Sequence, residues 1–271
     1  DVFEELKKKN LIYPCFETQE ELSLKRKIQL KQGKPPIYDR SSLKLGKKNI
    51  SDLISNGKSP HWRLKLDDKP ISWNDEIHGM VKFDKLSISD PVLFRSDEMP
   101  LFTVTSVVDD AYLNVSHILR GDDHITNTAA QIKLFQYLGS SLPTFAHFPL
   151  MRTKSGSGLS KRFNSFSLKE IRKKKILPIV IINYLSKIGS SLSIETFDNL
   201  ENLITNFKVN LFFKNSVLFN DEDLLRLNSK NLKELSSIEL KENFGLDCSE
   251  KVWSIIRRNI EEFDEIEEWQ S

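Results

Sequence analysis

The sequence predicts an α/β fold, preceded by an α+β region and followed by a mainly helical one. Three observations carry this reading. Short apolar runs at 101–108, 115–119 and 145–150 flank a helical pattern over 126–138, the strand, helix, strand order of a parallel crossover unit. Before them, alternating and turn-rich stretches between 61 and 95 read as short antiparallel strands. After residue 166 the apolar spacing becomes helical and stays so.

Taken in order, residues 3–9 predict a short helix. Thr18 with Glu21 forms a capping box that opens a helix running to about residue 32, where Gly33-Lys34-Pro35-Pro36 stops it. The polar stretch that follows reads as loop. Over 61–83 short antiparallel strands are expected, with a turn at Asp67-Asp68-Lys69-Pro70, and 90–95 reads as one more strand. Alternation along 101–108 puts Phe102, Val104 and Ser106 on one face and Thr103, Thr105 and Val107 on the other. The run 115–119 delivers Arg120 at a strand end, Gly121 allows a sharp turn, and Asp122, Asp123 and His124 open a helix. Past Lys154 the small residues Ser155-Gly156-Ser157-Gly158 predict a mobile loop. Ser167 to Glu170 is a second capping-box start, and Pro178 suits the first turn of the next helix. Asp221-Glu222-Asp223 leads a further helix, and 249–266 predicts another.

The chain has 271 residues, enough for a sizeable core and more than one domain. No apolar run approaches a membrane span, and the first residues, DVFEELKKKN, are charged, so neither a membrane anchor nor a signal peptide is read here. A cytoplasmic protein is expected. Cys15 and Cys248 lie far apart and read as reduced structural thiols; a zinc site would need further ligands clustered near them. Net charge is only +2, but it is segregated: 152–175 holds nine Lys or Arg and one acid, whereas 261–271 holds six acids and no base. The basic block is either a polyanion surface or a solvated face.

Three groupings could carry chemistry. Arg120, Asp122, Asp123 and His124 gather a cation, two carboxylates and an imidazole at a strand end and helix start, the edge of an open sheet where ligands bind. The guanidinium suits a carboxylate clamp, and helix amides suit phosphate oxygens. The same group could equally be an internal ion pair that caps a helix. Ser155 to Arg162, with Ser160, Lys161 and Arg162 at its end, is a small-residue loop able to approach an anion and close over a nucleotide triphosphate. The hydroxyls and ring of Phe102, Thr103, Thr105 and Ser106 line a pocket or merely pack. His61, His78, His117 and His147 stand isolated and read as structural or exposed.

The combination S-V-V-D-D, H-I-L-R-G-D-D-H-I-T-N-T, H-F-P-L-M and G-L-S-K-R resembles bacterial glutamyl-tRNA synthetase, a class I aminoacyl-tRNA synthetase, and is especially similar to alphaproteobacterial forms. The stretches Tyr13-Pro14-Cys15-Phe16, Glu20-Glu21-Leu22 and Lys34-Pro35-Pro36-Ile37-Tyr38-Asp39 are similar to the inserted acceptor-stem-binding domain of that family. The fold implied is the second half of a class I Rossmann catalytic domain with an inserted α+β acceptor-binding domain and a following helical stem-contact region. The domains implied are 1–100 (inserted, connective), 101–154 (second Rossmann half), 155–240 (Leu-Ser-Lys-Arg loop and stem contact) and 241–271 (start of the helical anticodon-binding domain).

The resemblance implies adenylation of glutamate by ATP with Mg2+, then transfer to tRNA-Glu, by a protein that is monomeric at full length. Arg120 would hold the amino acid, with Phe102 where a tyrosine usually contacts it and Ser106 where an asparagine often does. Asp123 and His124 would line the ATP site and Met151 would border the adenine. Gly158, Leu159, Ser160, Lys161 and Arg162 would form the phosphate loop, with Lys161 stabilising the departing pyrophosphate. Cys15 stands alone where some relatives have a zinc cluster, so no zinc is expected. The His-Ile-Gly-His half of the family site is not among these residues. The chain therefore reads as truncated at both ends, and alone it is not expected to aminoacylate. The alternatives are a tRNA-binding module without catalysis, and a glutamyl-queuosine or glutaminyl-type paralogue.

Overall fold

The computed structural model describes residues 2–84, 87–154, 156, 158, 167–194, 199–260, 263 and 265–266. The chain divides into two compact units, 1–147 and 148–271.

The first unit opens with α1 (Val2–Lys8), β1 (Ile12–Cys15) and α2 (Gln19–Lys31). The expected capping box is present: Thr18 accepts from the Glu21 amide while the Glu21 carboxylate accepts from the Thr18 amide. The stretch read as loop holds a 3-10 turn over Ser41–Lys44 and α3 (Lys47–Ser55). Ile50, Leu53 and Ile54 form an apolar stripe at helical spacing that the loop reading passed over, although none of the α3 residues is buried. Then come β2 (His61–Leu64), β3 (Ile71–Asp75), β4 (Gly79–Phe83) and β5 (Val92–Phe94). One sheet has the order β1-β2-β5, antiparallel throughout.

The run 101–108 is not a strand. It lies in α4 (Phe102–Tyr112). Its β-branched residues favour a strand locally, but Val104 and Val107 are buried and Val108 and Ala111 pack behind them, which is helical spacing. The Ser106 hydroxyl bonds back to the Phe102 carbonyl at 2.8 Å, a helical contact. Phe102 and Ser106 thus share a face because they are four residues apart on a helix, not because they alternate on a strand. After α4 come β6 (His117–Gly121), a 3-10 turn over Asp122–His124, α5 (Ile125–Leu138) and β7 (Thr144–Phe148). Arg120 sits within β6, and Gly121 has φ −70°, a conformation open to any residue, so the turn does not need a glycine there. At the other end of α5, Gly139 adopts φ +69° and closes the helix.

The second sheet has the order β4-β3-β7-β6. Strands β3 and β4 form an antiparallel hairpin, and β3 runs parallel to β7 with Asp75 opposite Phe145. This sheet takes strands from both sides of residue 100. Helices α4 and α5 pack on it through a core that includes Trp73, Val107, Ile132, Phe135 and Phe145.

In the second unit β8 (Met151–Arg152) pairs in parallel with β9 (Val217–Leu218). The helices are α6 (Leu168–Lys173), α7 (Pro178–Lys187), α8 (Leu200–Asn206), α9 (Asp221–Glu234), α10 (Ser237–Phe244) and α11 (Glu250–Ile256). Ser167 caps α6 through the Glu170 amide, but the Glu170 carboxylate accepts from Lys173 at 2.8 Å and does not complete a box. Pro178 opens α7 as expected. The acids Asp221, Glu222 and Asp223 fill the first turn of α9, where the helix dipole favours them. The helix expected over 249–266 ends at Ile256. The core is formed by Val180, Tyr184, Leu224, Leu227, Leu240 and Trp253.

Candidate functional site

The first unit brings Phe102, Ser106, Arg120 and His124 into one cluster joined by hydrogen bonds and a tilted ring contact. Arg120 is half-buried at the end of β6, and its partners come from α5 and β7. Its Nη2 donates to Thr128 Oγ1 and, at 2.6 Å, to Gln131 Oε1. Its Nε donates to His147 Nε2 at 3.3 Å, and the guanidinium carbon lies 5.8 Å from the Phe145 ring centroid. Among the described residues Arg120 has no carboxylate within ion-pair distance, and Nη1 has no partner. Burial pulls its pKa below the ordinary arginine value, opposed by Asp110, Asp123 and Asp75. It remains a cation.

Ser106 reaches Arg120 through one amide. Gln131 Nε2 donates to Ser106 Oγ at 2.6 Å while its Oε1 accepts from Arg120. Phe102 is 56% exposed, and its ring meets the His124 ring at 5.7 Å between centroids. His124 Nδ1 lies 3.3 Å from Asn127 Nδ2, and His124 Nε2 stands 3.9 Å from the exposed carboxylate of Asp123. The four residues converge because α4 and α5 pack side by side with their N-termini near the end of β6. Asp110, in the last turn of α4, is pushed upward in pKa by burial and by Asp109, and held back by Arg120.

The sequence reading missed the support beneath this cluster. His147 is fully buried, and its Nδ1 lies 2.5 Å from Asp75 Oδ2, also fully buried. Burial alone would raise the Asp75 pKa, but the His147 ring and the amides of His78, Ile77 and His147 hold it well below the usual carboxylate range. Gln131 and Thr128 were likewise unmarked. A polar residue on an otherwise apolar helix face was the available signal: both are buried among Ala129, Ala130, Ile132 and Phe135.

The remaining expected site residues lie in the second unit. Met151 begins β8 and packs against that unit's core, and Gly158 bridges Arg152. Leu159, Ser160, Lys161 and Arg162 lie outside the described residues.

A cleft of about 1130 Å³ opens in the first unit, lined among others by Phe16, Arg26, His61, Arg95, Thr103 and Asn127. It runs along the N-terminal turns of α4 and α5 but does not include Arg120. Asn127, which lies against His124, is shared between this cleft and the Arg120 cluster.

Cys15, Glu17 and His61 place their ligand atoms within 4.8 Å of one another, the metal-like group found among the described residues. Glu17 is already satisfied. It accepts from Tyr38 Oη at 2.6 Å, Ser41 Oγ at 2.7 Å and Ser42 Oγ at 2.9 Å. Burial opposes its ionisation, but these bonds bring its pKa down to about 2. Burial pushes the Cys15 thiol up to about 11, against the thiolate that zinc requires. A cation would have to displace three hydroxyls and a proton, so this group fits zinc poorly. No helix among the described residues is long and apolar enough to cross a membrane.

Residues 1–226 match the family described as tRNA synthetases class I (E and Q), catalytic domain. The chain is 42% identical over 273 residues to glutamate–tRNA ligase 1 of Wolbachia sp. subsp. Brugia malayi, which covers 99% of this chain and 62% of that protein. It is 44% identical over 226 residues to the glutamate–tRNA ligase of Azospirillum brasilense, covering 83% of this chain and 51% of that protein. In fold it is similar to the crystal structure of a glutamate tRNA ligase from Elizabethkingia meningosepticum in complex with its amino acid, with TM-score 0.80, 23% identity, and coverage of 98% of this chain and 61% of that one. The chain thus spans about half to three-fifths of the length of these relatives.

Proposed function

Since this chain belongs to the class I tRNA synthetases for glutamate and glutamine, we propose that it carries part of the machinery of a glutamate–tRNA ligase. In this reading a glutamate carboxylate oxygen attacks the α-phosphorus of ATP and pyrophosphate leaves; a ribose hydroxyl of tRNA-Glu then attacks the acyl carbon of the adenylate, releasing AMP and the hydroxyl proton. Mg2+ accompanies the ATP, no zinc takes part, and the protein works as a cytoplasmic monomer. Residues 1–100 meet the acceptor stem, 101–154 hold the amino acid and nucleotide, 155–240 supply the phosphate loop and stem contact, and 241–271 begin the anticodon-binding helices. Packing of the second sheet runs across the first of these boundaries.

One observation supports this most strongly. Arg120 is oriented by neutral acceptors, Thr128, Gln131 and His147, and no carboxylate neutralises it among the described residues. A half-buried cation held in that way keeps its charge for an incoming anion. Arg120 holds the substrate amino acid, with Phe102 and Ser106 beside it. Asp123 and His124 border the ATP, Met151 the adenine, and Gly158, Leu159, Ser160, Lys161 and Arg162 the phosphates. Rate enhancement comes from placing the reacting groups and stabilising charge on the leaving pyrophosphate.

The test is ATP–pyrophosphate exchange by the protein at its native length. Exchange that depends on glutamate and not on glutamine supports the reading. Exchange driven by glutamine, or none with glutamate and tRNA-Glu present, overturns it.

A further inference from the structure

Asp75 and His147 are both fully buried, and neither is among the groups that touch substrate in the reading above. Burying a carboxylate is costly unless its lone pairs are satisfied. Here they are. Asp75 Oδ1 accepts from the amides of His78 at 3.0 Å, Ile77 at 3.1 Å and His147 at 3.2 Å. Its Oδ2 receives His147 Nδ1 at 2.5 Å. The carboxylate is thus anchored to the tip of the β3–β4 hairpin and to β7.

That anchor fixes the imidazole tautomer. With Nδ1–H given to Asp75, Nε2 is left as an acceptor. Two donors face it: Arg120 Nε–H at 3.3 Å and the Thr128 hydroxyl at 2.7 Å. Thr128 Oγ1 in turn accepts from Arg120 Nη2 and lies 3.0 Å from the His124 carbonyl. The Nε and Nη2 edge of the guanidinium is therefore fully engaged from below, and Nη1 is left over.

We infer that Asp75 and His147 form a positioning pair for Arg120, holding its inner edge so that Nη1 is presented to the carboxylate of the bound amino acid. The inference rests on the reading that Arg120 holds that amino acid. The imidazole explains why a carboxylate can steer the arginine without cancelling it. A carboxylate placed directly on Nε and Nη2 would form a bidentate ion pair and use up the charge. With a neutral ring between them, the negative charge stays a ring's breadth away while its directional effect is passed on.

The test uses the protein at its native length, with KM for glutamate, KM for ATP and melting temperature measured for each variant. Asp75→Asn can donate an N–H to Nδ1, which turns the other ring N–H toward Arg120 and repels it. Thr128→Val removes the hydroxyl that joins His147 to Arg120, and Thr128→Ser keeps it. The expected result is a rise of about tenfold or more in KM for glutamate in Asp75→Asn and Thr128→Val, with KM for ATP within about twofold, and near-normal values in Thr128→Ser. Should Asp75→Asn fail to fold, the Thr128 pair decides. Equal changes in both KM values, or no change, while Arg120→Ala loses glutamate, would overturn the pairing alone. Undiminished glutamate use by Arg120→Ala would overturn the underlying reading and the inference with it.

Discussion

The Ser106 hydroxyl and the Arg120 guanidinium are held by the same side chain: Gln131 donates to one and accepts from the other, each at 2.6 Å. Helix α5 therefore sets the distance between two residues that the chain delivers from a helix and a strand.

Replacing this amide separates stability from function. Gln131→Leu strips a donor from the part-buried Ser106 hydroxyl oxygen and an acceptor from the guanidinium, and should lower unfolding free energy by about 1–3 kcal/mol. Gln131→Glu instead places a carboxylate on Arg120. It should leave the denaturation midpoint near the parent value yet weaken glutamate binding, because the charge is now internally paired. Chemical denaturation and glutamate titration on the two variants check both halves.

Phe102 is 56% exposed, and among the described residues its ring meets that of His124 at a tilt of 57°. Phe102→Tyr should change stability by less than about 0.5 kcal/mol, as exposed substitutions do. If the ring borders the amino acid, the added hydroxyl tightens glutamate binding several-fold. An unchanged affinity would place Phe102 outside the substrate contact.

Glu17 gives a pH prediction. Its folded pKa is lowered from 4.5 to about 2 by the Tyr38, Ser41 and Ser42 hydroxyls, which outweigh burial. The stability it contributes is full above its unfolded value and is lost as pH falls from about 4.5 toward 2. Acid titration of the melting temperature should drop less steeply through that window in Glu17→Gln, from a lower starting value at neutral pH. Parallel curves would remove Glu17 from the acid sensitivity.

In the second unit Gly189 has φ +78°, and a Cβ there would stand 2.8 Å from Val217 Cγ1. Gly189→Ala should cost about 1–3 kcal/mol from backbone strain and overpacking together. A calorimetric melt that matches the parent would show that the β8–β9 neighbourhood yields more than this packing allows.

Legibility in the sequence followed burial and local chemistry. The Thr18–Glu21 box, Pro178 and the acidic start of α9 were readable because each uses a short-range bond or dipole that the residues themselves supply. The run from Phe102 was misread because Val and Thr lean toward strand, while its helical stripe is decided by packing on α5. Helix α3 was legible in the Ile50, Leu53 and Ile54 spacing, but the polar residues around that stripe read as loop. Arg120 stood out as a charge at a strand end, but the groups that orient it did not. Asp75, Thr128, Gln131 and His147 come from three separate elements, and only the parallel pairing of β3 with β7 brings the first and last together. The His147 ring, read as structural or exposed, is buried and wired to the site.

In the proposed function Arg120 keeps its charge free for the amino-acid substrate. Calorimetric titration of L-glutamate into the protein at native length, against Arg120→Ala, tests it most directly. The variant is expected to lose about tenfold or more in affinity while ATP binding persists. Equal glutamate affinity in the two proteins would contradict it.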